Sequence, residues 1–112
     1  MTTPLNDIII KALEDMKAKD IVTLDVRGMT DVMDTLIIAS GTSSRHVRSV
    51  AENAIEEAKK SDIRPIGVEG LDAPEWVLVD FSDTILHVML PATRELYDLE
   101  KLWSMKPSDR NA

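Results

Sequence analysis

The segment Gly41-Thr42-Ser43-Ser44 contains residue types that could bind a phosphate group. It follows an apolar run and precedes a helical pattern, and the N-terminus of a helix in such a place can bind phosphate. A P-loop requires a second glycine and a lysine, however, and a dinucleotide loop requires three glycines. Because this segment has a single glycine, helix capping by its hydroxyl groups explains it better than a nucleotide site does.

The same segment is also similar to the Gly-Ser turn of nucleotidyltransferases. Those enzymes carry paired acidic residues on the following strand, where they hold a metal ion. Here a helical pattern and then Pro65-Ile66-Gly67-Val68 follow, without an Asp-x-Asp pattern. Nucleotide binding or transfer is therefore the disfavoured second hypothesis.

Two histidines and two aspartates are further candidates for acid-base or metal chemistry. His46, near the start of the helical pattern, is expected to be solvated, and His87 in the middle of a strand is expected to be packed and hydrogen-bonded. Their separation matches no metal-ligand spacing. Asp25 and Asp34 lie at predicted strand positions and could form a carboxylate pair, but no nucleophile with an obvious base accompanies them. The sequence thus predicts no enzyme, no metal and no cofactor.

The composition narrows the class of protein further. The chain has 112 residues, a net charge of −7, a pI near 4.7 and no cysteine. One domain over residues 1–104 is expected, with a flexible tail over 105–112. An acidic surface repels phosphate backbones, so direct nucleic-acid binding is disfavoured and a basic protein is the better partner. The sequence shows no signal peptide or membrane span, which favours the cytoplasm.

Hydrophobic periodicity predicts the element order α-β-β-α-β-β-β-α, and therefore an α/β or α+β layer fold with a mixed sheet. The predicted helices cover 4–18, 44–60 and a segment that begins at Pro91. The predicted strands cover 21–26, 35–40, 65–69, 76–81 and 84–90. Because only Ser82-Asp83 joins the last two strands, they should form an antiparallel hairpin.

The aromatic residues mark the hairpin and the helix after it as the expected working surface. All four lie in the last third of the chain: Trp76, Phe81, Tyr97 and Trp103. Strand alternation places three side chains of the first hairpin strand on one face: Trp76, Leu78 and Asp80. On the second strand, the residues that share a face are Ile85, His87 and Met89. If the opposite faces meet the helices, either a helix or a partner must cover the Trp76 side.

Several segments together resemble the ribosomal silencing factor family, also called Iojap-like proteins. They are Asp20 to Val26, Gly41 to Val47, Val68-Glu69-Gly70, Trp76-Val77-Leu78-Val79-Asp80, His87-Val88-Met89 and Leu99-Glu100-Lys101-Leu102-Trp103. The match extends from about Leu5 to Ser104. The chain departs from the family at Asp34-Thr35-Leu36, where many relatives have Asp-Tyr-Phe, and at Met89, where many have Phe.

The resemblance implies a mixed five-stranded sheet flanked by helices, related to nucleotidyltransferases but without catalysis. It further implies binding to the large ribosomal subunit through ribosomal protein L-fourteen, a steric block to subunit joining, and lower translation when nutrients are scarce. Some members form homodimers, so a dimerisation module whose self-interface is the hairpin patch is a third hypothesis.

Together with the strand pattern, the resemblance suggests a set of partner-binding residues: Trp76, Leu78, Asp80, His87, Met89 and Pro91. Trp76 is expected to be the central anchor, with Leu78 and Met89 as its apolar neighbours. Asp80 is expected to pair with a lysine or arginine of the partner, while His87 and Pro91 shape the edge of the site.

Overall fold

The computed structural model describes residues 5–29, 33–72 and 74–104, with the backbone alone described at 103 and 104. The elements in these ranges are α1 (Leu5–Asp15), β1 (Lys19–Asp25), β2 (Thr35–Ser40), α2 (Ser44–Lys60), β3 (Gly67–Glu69), β4 (Trp76–Asp80), β5 (Thr84–Met89), α3 (Pro91–Tyr97) and α4 (Leu99–Ser104). The predicted fold class is confirmed. None of the helices in the described ranges has the length and apolar character needed to cross a membrane.

The five strands form one mixed sheet in the order β1-β2-β5-β4-β3. β2 and β5 run parallel at its centre, and the other three pairings are antiparallel. The continuous apolar run of β2 suits this position, because a central strand is covered on both faces. The predicted hairpin of β4 and β5 is also confirmed, and Phe81 N closes its turn by donating to Thr84 O at 2.9 Å.

Helices α1 and α2 pack on one face of the sheet. The buried residues of α2 recur at three- and four-residue spacing and form one apolar stripe: Val47, Val50, Ala51, Ala54 and Ala58. Three of them are alanines, whose small side chains let the helix approach the sheet closely. The sheet contributes the apolar side chains that face these helices, including Ile37, Val77, Val79, Leu86 and Val88. Each large side chain that is fully buried here contributes about 1.5–3 kcal/mol to folding. Val77, Val79 and Phe81 therefore lie in the core on this side of the sheet.

The boundaries of two helices differ from those predicted. α1 ends at Asp15, not Ala18, because Lys17 has a φ of +59°. The single helix predicted after Pro91 is two helices, since Asp98 adopts a left-handed conformation with φ 47° and ψ 50° between α3 and α4. The predicted helix start at Thr3-Pro4 and the tail over 105–112 lie outside the described residues.

Candidate interaction surface

The second face of the sheet is only half covered. The part of this face that β1, β2 and β5 form carries a second apolar cluster, which consists of Val26, Met33, Leu36, Ile38 and Met89. Leu99 of α4 and Trp76 of β4 pack against this cluster. Three side chains of β4 nevertheless stay partly exposed: Trp76, Leu78 and Asp80. A depression of about 300 Å³ lies beside β4, lined by Glu69, Gly70, Trp76 and Leu78. We call this surface the Trp76 face: Trp76, Leu78, Asp80, Glu69 and Tyr97.

The indole of Trp76 is held on two sides. Its Nε1–H donates a hydrogen bond to Nδ1 of His87 at 2.8 Å. The ring of Tyr97, on α3, lies 4.8 Å from the indole between centroids, with the planes tilted by 49°. Aromatic pairs in this range stabilise each other beyond simple area burial. Trp76 is therefore a partly exposed ring with a fixed orientation.

His87 is the buried support of that indole. It is 7% exposed, and this burial lowers its pKa from 6.5 to about 4. The ring is therefore neutral at pH 7, with Nδ1 as the acceptor and the proton on Nε2. The predicted packed, hydrogen-bonded role is confirmed. His87 shapes the Trp76 face by holding the indole from below.

Lowering the pH should weaken the fold through His87. The pKa of His87 is about 4 in the folded chain, whereas an ordinary histidine has a pKa of 6.5. Between these two pH values the unfolded chain therefore binds a proton at His87 and the folded chain does not. The free energy of unfolding should fall as the pH drops from about 6.5 to about 4, by about 3 kcal/mol from this residue, and then level off. Urea titrations across this pH range measure the effect.

The control for the pH prediction is His87→Asn, whose amide oxygen can accept the indole hydrogen bond but whose side chain gains no charge. Carboxylates titrate in both proteins, so the difference between the two pH profiles isolates His87. Parallel profiles would contradict the prediction, because they would mean that folding does not change the proton affinity of this ring.

The remaining predicted contact residues lie at different depths. Met89 is the cross-strand neighbour of Trp76, but it is 0% exposed and cannot belong to an exposed patch. It forms the layer beneath the indole instead. Asp80 is partly exposed, and Ser82 N donates to its Oδ1 at 2.8 Å. Pro91 is exposed at the first position of α3, where a missing N–H costs nothing.

Sequence reasoning did not assign Tyr97 to the site. It stands on α3, separated in sequence from the hairpin, and it reaches Trp76 only because α3 folds back over the sheet. The concentration of aromatic residues in the last third of the chain was the available signal.

The acidic charge of the chain is concentrated in the segment that carries this face. Residues 65–100 contain one basic residue, Arg94, and eight acidic residues: Glu69, Asp72, Glu75, Asp80, Asp83, Glu95, Asp98 and Glu100. The resulting −7 equals the net charge of the whole chain, so the rest of the sequence is neutral overall. Arg94 is buried and paired with Glu100. This segment therefore favours a cationic partner.

The loop at Gly41 caps α2 and packs closely against its first turn. Ser43 Oγ accepts from His46 N at 3.1 Å, which confirms helix capping. Thr42 N donates to His46 Nδ1 at 2.9 Å, and His46 Nε2 lies 2.7 Å from Met16 O. The prediction of a solvated His46 is therefore wrong, because the ring is half-buried and joins the end of α1 to the start of α2. A Cβ at Gly41 would lie 2.7 Å from Val47 N, so close packing accounts for this glycine.

The two aspartates considered for acid-base chemistry do line one polar pocket of about 470 Å³. Asp25 is nevertheless engaged by Arg27, whose Nε and Nη2 donate to its two oxygens at 3.1 and 2.8 Å. These hydrogen bonds lower the pKa of Asp25 to about 2, so it is a poor proton acceptor. Within the described ranges, no group of three His, Cys, Asp or Glu side chains is placed to hold a metal ion.

Comparisons with known proteins agree with this fold. A family profile described as "Ribosomal silencing factor during starvation" matches residues 2–112. The chain is 43% identical to "Ribosomal silencing factor RsfS" of Chromobacterium violaceum over 105 residues, which cover 93% of this chain and 86% of that protein. It is 36% identical to the Mus musculus protein "Mitochondrial assembly of ribosomal large subunit protein 1", covering 92% of this chain and 46% of that one.

A solved structure gives the same result in three dimensions. The crystal structure of a Chromobacterium violaceum protein superimposes with a TM-score of 0.88 at 42% identity, covering 92% of this chain and 87% of that one. Sequence and fold match over nearly the whole length, so this chain belongs to the ribosomal silencing factor family.

Proposed function

We propose that this chain binds the large ribosomal subunit through the Trp76 face and prevents it from joining the small subunit. The observation that carries the proposal is the face itself, on which a rigidly held, partly exposed tryptophan stands in a strongly acidic segment. Buried tryptophans dominate binding energy at interfaces, and ribosomal proteins are the commonest basic partners in a cell. Family membership supports the same function.

The proposed contact is ribosomal protein L-fourteen. Trp76 inserts as the anchor, and Leu78 extends the apolar contact along β4. Glu69 lines the same depression and Asp80 lies on the same face of β4, and both pair with lysine or arginine side chains of the partner. Charge complementarity of this kind speeds the encounter and fixes its orientation, while the ring supplies most of the affinity.

The mechanism is steric and involves no catalysis. A folded domain of 12.5 kDa occupies space that the small subunit needs, and translation falls as free large subunits are withdrawn from joining. The two groups considered for acid-base chemistry fit this role, because His87 is a neutral support of the indole and Asp25, in a separate pocket, is held by Arg27. Repression in the cytoplasm under nutrient limitation is the proposed setting.

A subunit rejoining assay tests the function directly. Purified small and large subunits are mixed in magnesium with and without the protein and separated on a sucrose gradient. We expect joined ribosomes to decrease and the protein to sediment with the large subunit. Unchanged joining, with the protein at the top of the gradient, would refute the proposal. A free protein that sediments at dimer mass, and loses that mass on Trp76→Ala, would instead indicate a self-interface.

A further inference from the structure

Arg94 is a buried charge that joins three elements. It is 9% exposed, which is unusual for an arginine on a short helix. Its Nε donates to Oε1 of Glu100 on α4, and its Nη1 donates to Oγ of Ser40 at 2.8 Å. Ser40 is the last residue of β2 and is itself buried. One guanidinium group therefore ties α3 and α4 to the end of a central strand.

The bend between the two helices lies next to the same residue. Asp98 adopts its left-handed conformation with its N–H donating to Arg94 O at 2.9 Å. Helices as short as α3 and α4 are not stable alone in water, so their position depends on what anchors them. From α3, the Arg94 guanidinium donates charge-assisted hydrogen bonds to Glu100, beyond the bend, and to Ser40 of β2, and such bonds are stronger than neutral ones.

The position of the Tyr97 side chain depends on how Arg94 holds α3. Tyr97 follows Arg94 by three residues, so both lie on the same side of α3. Tyr97 is 56% exposed, so burial alone does little to hold it beside the indole. Without a fixed α3, the 4.8 Å contact between Tyr97 and Trp76 would be one of several arrangements.

We propose that Arg94 is a positioning residue for the Trp76 face: by fixing α3 and α4 to β2, it holds Tyr97 against Trp76 before any partner arrives. Arg94 does not touch the partner. A face that is already ordered loses less conformational entropy on binding, which raises its affinity. The effect on affinity depends on the proposed function, whereas the effect on the indole does not.

The test is a double-mutant cycle between Arg94→Met and Tyr97→Ala, with two readouts. The first is the indole Nε1–H resonance of Trp76 in a proton–nitrogen spectrum, assigned by its absence in Trp76→Phe. The second is affinity for purified large subunits. We expect Arg94→Met to shift the resonance toward its position in Tyr97→Ala and to weaken binding about tenfold. The double variant should bind no more weakly than the weaker single variant.

A merely structural role would lower stability without this coupling. Folded Arg94→Met protein with an unmoved indole resonance, or losses of affinity that add in the double variant, would overturn the proposal. Arg64→Met, which removes an exposed arginine, is the matched control and should change neither readout. If the wild-type protein does not bind large subunits, the proposed function fails, and the indole comparison still decides the positioning role.

Two milder variants keep the test decisive if Arg94→Met does not fold. Ser40→Ala removes the acceptor of Nη1, and Glu100→Gln keeps an oxygen for Nε but removes the charge. Each should move the indole resonance in the same direction by a smaller amount. An unmoved resonance in both folded variants would overturn the proposal.

Discussion

Replacing Trp76 by alanine is expected to weaken binding to the large subunit about thirty- to thousandfold, equivalent to ~2–4 kcal/mol. The substitution removes the largest apolar group of the face, and it leaves His87 without its indole donor and Tyr97 without its ring partner. Cosedimentation with purified large subunits over a range of protein concentrations measures the change. Subunit joining should recover in parallel.

Two further variants show whether the loss belongs to this site. Trp76→Phe keeps a ring but loses the N–H that bonds His87, so its affinity should lie between those of Trp76→Ala and the wild-type protein. Ile55→Ala also truncates a partly buried apolar side chain, but on α2, across the sheet, and should bind normally. A folded Trp76→Ala protein that binds with unchanged affinity would rule out Trp76 as the anchor.

The local elements were predictable where one signal dominated. The bounds of α2 follow from its apolar stripe and from the hydroxyl at Ser43, because both act within a few residues along the chain. The bend at Asp98 was not predictable in this way. An aspartate in a helix and one in a left-handed bend leave the same hydrophobic pattern, and the contacts that surround the bend reach as far as Ser40 of β2.

The face of β4 that carries the site was predictable from the sequence, but the burial of each site residue was not. Alternation along β4 correctly puts Trp76, Leu78 and Asp80 on one face, since neighbouring side chains of a strand point to opposite sides. It does not say what covers each part of that face. Met89 is buried because the cluster around Leu36 and Ile38 closes over it, and such long-range packing has no local signature.

Replacing Gly70 by alanine should cost about 3 kcal/mol or more of folding free energy, from backbone strain and overpacking together. Gly70 has a φ of +93°, which favours glycine, and a Cβ there would lie 2.2 Å from the carbonyl oxygen of Trp76. A backbone atom cannot move aside as a side chain can, so β3 and β4 must separate at the edge of the Trp76 face. Urea denaturation measures the loss of stability.

Gly28→Ala is the matched control for this prediction, because it separates strain from collision. Gly28 has a similar φ of +86°, but a Cβ there would meet nothing within 4 Å. Only the left-handed conformation is penalised at Gly28, so this variant should lose about 1 kcal/mol. The excess loss in Gly70→Ala measures the close approach of the Gly70 backbone to Trp76. Equal losses in the two variants would show that the chain at Gly70 can yield, and that Gly70 does not constrain the position of Trp76.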